Sequence, residues 1–132
     1  MLTIPLEKLA YIIEKAREFD AEVPADPDET GSNPADDDER EILLDTPDNP
    51  TAQELRDALH GLNLDEREEL LALTWLGRGD FDAESWSEAL RQARETDIAL
   101  EIRNLPHTPL LGDYLEEGAA ALGVSLEDFD RG

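Results

Sequence analysis

The stretch TWLGRGDFDAESW (74–86) holds the residues best spaced for chemistry: two glycines flanking an arginine, then three spaced acids. A phosphate cradle needs a preceding strand and a Lys-Ser/Thr pair after its second glycine. Gly77 and Gly79 have neither. Arg78-Gly79-Asp80 is also the adhesive tripeptide, but nothing else in the chain has an extracellular character.

A calcium loop requires oxygen ligands at alternate positions, a glycine at the sixth and a bidentate acid at the twelfth. Counting from Asp80 places Asp82 and Glu84 suitably, but puts Ser85 at the sixth position and Arg91 at the twelfth. Counting from Gly77 places Glu88 at the twelfth, with Gly79 and Phe81 at the third and fifth. Neither register surrounds a calcium ion, and what is left is a degenerate EF-hand-like helix pair over 63–93.

The favoured reading is a corner between helices. Gly77 is expected to end one helix in the left-handed conformation, and Gly79 to let the chain reverse tightly. Asp82 or Ser85 then caps the next helix, Trp75, Phe81 and Trp86 cluster beneath the corner, and Arg78 meets an acid of a neighbouring helix. Other chemistry is sparse. His60 and His107 have no second histidine at helical spacing, as a zinc site would require. Ser32, Ser85, Ser87 and Ser125 sit where turns and caps favour serine. Adjacent acids such as Glu116 and Glu117 point to different sides of a helix. No catalytic residue, metal set or cofactor loop is assigned.

Helices are the elements that must carry these residues. Leu6, Leu9, Ile13 and Ala16 recur at three- and four-residue spacing over 3–20, with Thr3 as cap and Pro5 in the first turn. Thr51 and Glu54 have capping-box spacing before Leu55, Ala58, Leu59 and Leu62, and Gly61 is a stop. Asn63 caps a helix with an apolar end from Leu70 to Leu76. Ser85 and Glu88 repeat the capping-box spacing ahead of Trp86, Leu90 and Ala93, with Ile98 and Ile102 further along. Thr108 caps a last helix with Pro109 at its first position, Leu111, Tyr114, Leu115 and Leu122 inward, and Gly123 as its stop. The small residues Gly118 to Ala121 present a shallow face for another helix. A short turn at 125–129 tucks Leu126 and Phe129 onto the body.

Between the first two helices, twelve acids over 20–50 face the single base Arg40, among five prolines. Segment 21–35 cannot bury enough apolar surface to offset its ordering entropy and is expected to be a mobile acidic loop. Ile42, Leu43 and Leu44 behind the acids of 36–41 read as a short helix. No run alternates as a strand does. The expectation is one all-α domain over 1–132, a compact bundle of about five or six helices.

Composition bounds the function. Thirty-four acids against eleven bases give a net charge of −23, and cysteine is absent. Such a surface repels nucleic acid and anionic lipid and attracts basic proteins. No apolar run reaches the roughly 18 residues of a membrane span. The N-terminal stretch lacks a basic region and a cleavage site, so a cytoplasmic location is expected.

Three separated blocks, GSNPADD (31–37), ALTWLGRGDF (72–81) and TPLLGDYLEEG (108–118), follow an N-terminal LEKLAYIIEKAREFD. In this order they resemble the small acidic bacterial proteins grouped as domain of unknown function 3775. The resemblance implies one helical bacterial domain and no activity. The sequence thus points to a non-enzymatic interaction or regulatory module with an unidentified protein partner, for which a basic surface is suited, and with no nucleic-acid or membrane partner. Its candidate surface is Trp75, Arg78, Asp80 and Trp86 with Asp113, Tyr114 and Glu117. Two alternatives stay open: a divalent-cation binder using 26–41 or the 63–93 helix pair, and a nucleic-acid mimic.

Overall fold

The computed structural model describes residues 2–22 and 49–126. Most of the expected loop at 21–35, the short helix read after it, the cation segment 26–41 and Phe129 lie outside the described residues. Six α-helices are described: α1 (Leu6–Glu22), α2 (Pro50–His60), α3 (Leu64–Arg78), α4 (Trp86–Arg94), α5 (Ile98–Asn104) and α6 (Leu111–Ala121). Two 3₁₀ turns, Ala83–Ser85 and Leu105–His107, precede α4 and follow α5. No strand occurs among the described residues. The all-α expectation holds.

α1 and α2 run antiparallel, as side-chain pairs along their length require. Glu22 accepts from Asn49 at 3.0 Å, and Lys15 meets Glu54 at 3.0 Å. α1 packs against α2 and α6, and α3 packs against α4, α5 and α6. The core is aliphatic: Leu9, Ile12 and Ala16 from α1, Leu55 and Leu59 from α2, Leu70, Leu71 and Leu73 from α3, Leu111 and Leu115 from α6.

α3 is the central helix, because every residue from Glu68 to Thr74 is buried, more than one face of a helix can supply. This burial takes Glu66, Glu68 and Glu69 with it, and buried carboxylates must find donors. Glu66 completes a capping box with Asn63 and reaches Lys8 at 3.3 Å. Glu68 accepts from Arg94 at 3.1 Å. Glu69 accepts the Thr3 N–H at 2.8 Å and the Ile4 N–H at 2.9 Å, clamping the segment that leads into α1.

Several expected caps change hands. Thr3 does not cap α1, since its N–H is held by Glu69 and the first helical bond is accepted by the Pro5 carbonyl. Asn49, not Thr51, caps α2, accepting from the Ala52 N–H at 3.0 Å with Pro50 in the first turn. Ser85 makes no side-chain cap bond, and Glu88 turns to Arg91 instead. The segment read as continuing through Ile98 is two helices, broken after Arg94 and restarted by Asp97, which accepts from Leu100. Thr108 and Pro109 lie in the turn before α6. Leu110 takes the N-cap position in the left-handed region at φ 63°, its N–H donating to Asp20 at 3.2 Å. Asn63, Gly61 and Gly123 stand where expected.

Candidate functional site

The 74–86 corner is built from its backbone outward. α3 runs through Gly77 and ends at Arg78, and Gly79, at φ 92°, is the residue in the left-handed region. Asp80 N–H returns to the Trp75 carbonyl at 2.9 Å and Gly79 N–H to that of Leu76 at 3.1 Å, a Schellman closure. Gly79 therefore both ends α3 and turns the chain, and the left-handed role expected of Gly77 does not fall to it. Gly77 serves close packing: a Cβ there would lie 1.8 Å from the Tyr114 carbonyl oxygen of α6. Gly118 answers it across the same crossing, where a Cβ would lie 2.4 Å from the Leu73 carbonyl oxygen. The shallow face at Gly118 and Ala119 is thus filled from within the chain.

The corner's charged groups are engaged locally. Arg78 donates to Asp80 at 2.7 Å, an acid two residues on rather than one from a neighbouring helix. Asp82 accepts from the Ser85 N–H at 3.1 Å and starts the 3₁₀ turn. Trp75 and Phe81 stack with centroids 5.8 Å apart, and Trp86 lies half-buried on the core. The seven candidate surface residues divide accordingly. Trp75, Arg78 and Asp80 share the corner, Trp86 opens α4, and the Tyr114 backbone abuts Gly77. Asp113 faces α1, where Arg17 donates to it at 3.0 Å and also pairs with Glu116. Glu117 is exposed on the outer side of α6.

A second surface lies between α1 and α2. There Glu7, Lys8, Tyr11 and Ile12 face Asp57, Ala58 and Gly61 across an apolar groove of about 320 Å³. Half-buried Ala58 lies at its base over Ile12, which is buried, and Tyr11 on its α1 side is 43% exposed. Lys8 reaches out of the groove to Glu66 on α3. Glu7 and Asp57 are exposed on opposite walls, and among the described residues the Asp57 carboxylate accepts only a neutral amide, from Gln53 at 2.9 Å. The sequence alone did not single out this groove. The available signal was Tyr11 beside Ile12 at the edge of an apolar stripe bordered by Glu7 and Glu14.

The cations of the described chain are mostly tied to its own carboxylates. Lys15 meets Glu18 as well as Glu54, Arg91 meets Glu88 and Glu95, and Arg94 meets Glu68. Glu54 first, then Glu18, holds the Lys15 ammonium above the ordinary lysine range. Glu88 is held below the ordinary glutamate range by hydrogen bonds from Gln92 and then Arg91.

Residues 52–124, more than half of the chain, match the family described as "Protein of unknown function (DUF3775)". The chain belongs to this family. The DUF3775 match takes in the 72–81 and 108–118 blocks, the corner and the α2 wall of the groove, while α1 and the 31–37 block lie outside it. No curated protein and no solved structure matches the chain.

Proposed function

We propose that this DUF3775 chain is a non-enzymatic protein-interaction module of the bacterial cytoplasm that engages a basic partner through its acidic surface. One observation carries the reading: Lys8, Lys15, Arg17, Arg78, Arg91 and Arg94 each pair with a carboxylate of their own chain. With those cations engaged and a net charge of −23, the charge left to outside partners is overwhelmingly negative. Such a field accelerates encounter with positive surfaces and turns away like-charged ones. Arg78 contributes to this by being satisfied within its own corner, so the corner offers aromatic area at Trp75 and Phe81 and no free cation.

Affinity capture from native lysate tests the reading. A basic protein retained at low salt and released as salt rises is expected, and failure to retain any specific partner counts against it. Arg78→Ala in the same capture asks whether the corner takes part. Loss of the partner with stability unchanged places the contact there. Calorimetric titration with calcium and magnesium decides the cation reading, whose acids at 26–41 lie outside the described residues. Release of the captured partner by competing DNA would make the module a nucleic-acid mimic.

A further inference from the structure

The groove between α1 and α2 combines an apolar floor with acids on both walls, a pairing that selects a particular kind of partner. We infer that it receives one amphipathic helix of a basic protein, an apolar side chain resting on Ala58 and Tyr11 while Lys or Arg side chains meet Glu7 and Asp57. The inference rests on the reading of the chain as an interaction module and names that module's site and ligand chemistry.

Size, shape and charge each narrow the occupant. The groove, about 320 Å³, is at the lower end of ligand-binding volumes, room for one or two apolar side chains. Its walls are helices α1 and α2, whose backbone groups are bonded internally, so it offers no sheet edge to an extended peptide. An apolar stripe laid between two helices is the helix-in-groove arrangement, read by anchors at i, i+3 or i+4 and i+7.

Charge then separates a basic helix from the other occupants. Among the described residues that line the groove, Lys8 is the one cation, and it is directed to the nearly buried Glu66 carboxylate at 3.3 Å. Among the described residues no cation pairs with Glu7 or Asp57, and a flanking Lys or Arg of the partner completes both walls. A second copy of this chain fits poorly, because each copy carries −23 and would bring acids to acids. The Tyr11 ring at the rim, 43% exposed, adds apolar area for the partner's anchor, while the ammonium of Lys15 lies 5.4 Å from its centroid.

The test uses a synthetic peptide of about four helical turns with leucine at i, i+3, i+4 and i+7 and lysine elsewhere. Its controls are a scramble of the same composition and a version with glutamate for lysine. Binding to the full chain is followed by fluorescence anisotropy at about 150 mM salt, where charges separated by more than about 8 Å are screened. The patterned lysine peptide is expected to bind at least about ten-fold more tightly than the scramble, and the glutamate peptide not to bind. Glu7→Gln with Asp57→Asn is expected to weaken binding about ten-fold, and the remote pair Glu95→Gln with Glu101→Gln less than about two-fold. Ala58→Leu, which raises the floor without changing charge, is expected to weaken binding similarly to the groove pair.

Thermal melts by circular dichroism confirm that each variant folds. If Ala58→Leu does not fold, the charge pairs decide. Equal binding of pattern and scramble, equal effects of the groove and remote pairs, or no binding of the peptide overturns the inference. Failure here together with capture of a basic partner from lysate leaves the interaction module standing and removes only the groove. Failure of both removes both.

Discussion

A Cβ added at Gly77 would meet the Tyr114 carbonyl oxygen at 1.8 Å, whereas one added at Gly79 meets nothing within 4 Å. Gly77→Ala must therefore push α3 and α6 apart, a backbone shift that costs about 3 kcal/mol or more. Gly79→Ala incurs only the left-handed penalty of a β-carbon, about 1–2 kcal/mol. Urea unfolding of the two variants measures this, and a larger loss at Gly79 would contradict the packing assigned to Gly77. Glu69 is the other decisive single residue, since its carboxylate holds the N–H groups of Thr3 and Ile4. Glu69→Ala should cost about 2–3 kcal/mol, as loss of charge-assisted bonds at a buried site does. A loss below about 0.5 kcal/mol would mean that the N-terminal segment is not clamped there. The glycine pair was legible in the sequence as a corner, but which glycine turns and which packs depends on a helix more than thirty residues away. Glu69 carried one local signal, its place one turn before Leu73 on an apolar face.

Among the elements, the helices were legible and several of their starts were not. Asn63 with Glu66 forms a capping box because both partners lie within one turn. Thr51 and Ser85 have suitable spacing and lose the role to Asn49 and Asp82, whose side chains reach the first free N–H groups. Asn49→Ala and Asn63→Ala should each cost about 1 kcal/mol. Thr51→Ala and Ser85→Ala should stay within about 0.5 kcal/mol. Denaturant midpoints that reverse this order would overturn the cap assignment. Arg17 joins α1 to α6 through a half-exposed pair, so Arg17→Ala should cost no more than about 1 kcal/mol and less as salt is added. The Lys15 bridge between α1 and α2 follows a raised folded pKa. Its contribution is fully present below the ordinary lysine range and is lost only as pH rises through the raised value. Glu88 has the opposite sign, its contribution present above the ordinary glutamate range and lost as pH falls through the lowered value.

For the molecule as a whole, a net charge of −23 on 132 residues sets the response to salt. Internal pairing of the cations leaves the excess acids repelling one another across the surface, which destabilises the compact state. Raising sodium chloride from about 10 mM to about 150 mM shortens the Debye length from about 30 Å to about 8 Å. The melting temperature should rise by several degrees over that range, and a flat response in a thermal scan would count against self-repulsion as a dominant cost.

What the sequence determined by itself is whatever a single turn or a simple sum decides. Apolar spacing and caps such as Asn63 made the chain helical, and the ratio of acids to bases made its surface negative. What only the tertiary structure decided depends on residues far apart in the chain. Thr3 and Glu69, 66 positions apart, meet because central burial of α3 forces each of its acids to find donors. Gly77 and Gly118 allow backbones to approach where side chains would have kept them apart, and the groove exists because α1 and α2 leave exposed Tyr11 and half-buried Ala58 above the buried Ile12, between two acidic edges. Helical periodicity specifies which face is apolar, but the neighbour that covers it, and the strip left bare, follow from how the helices pack.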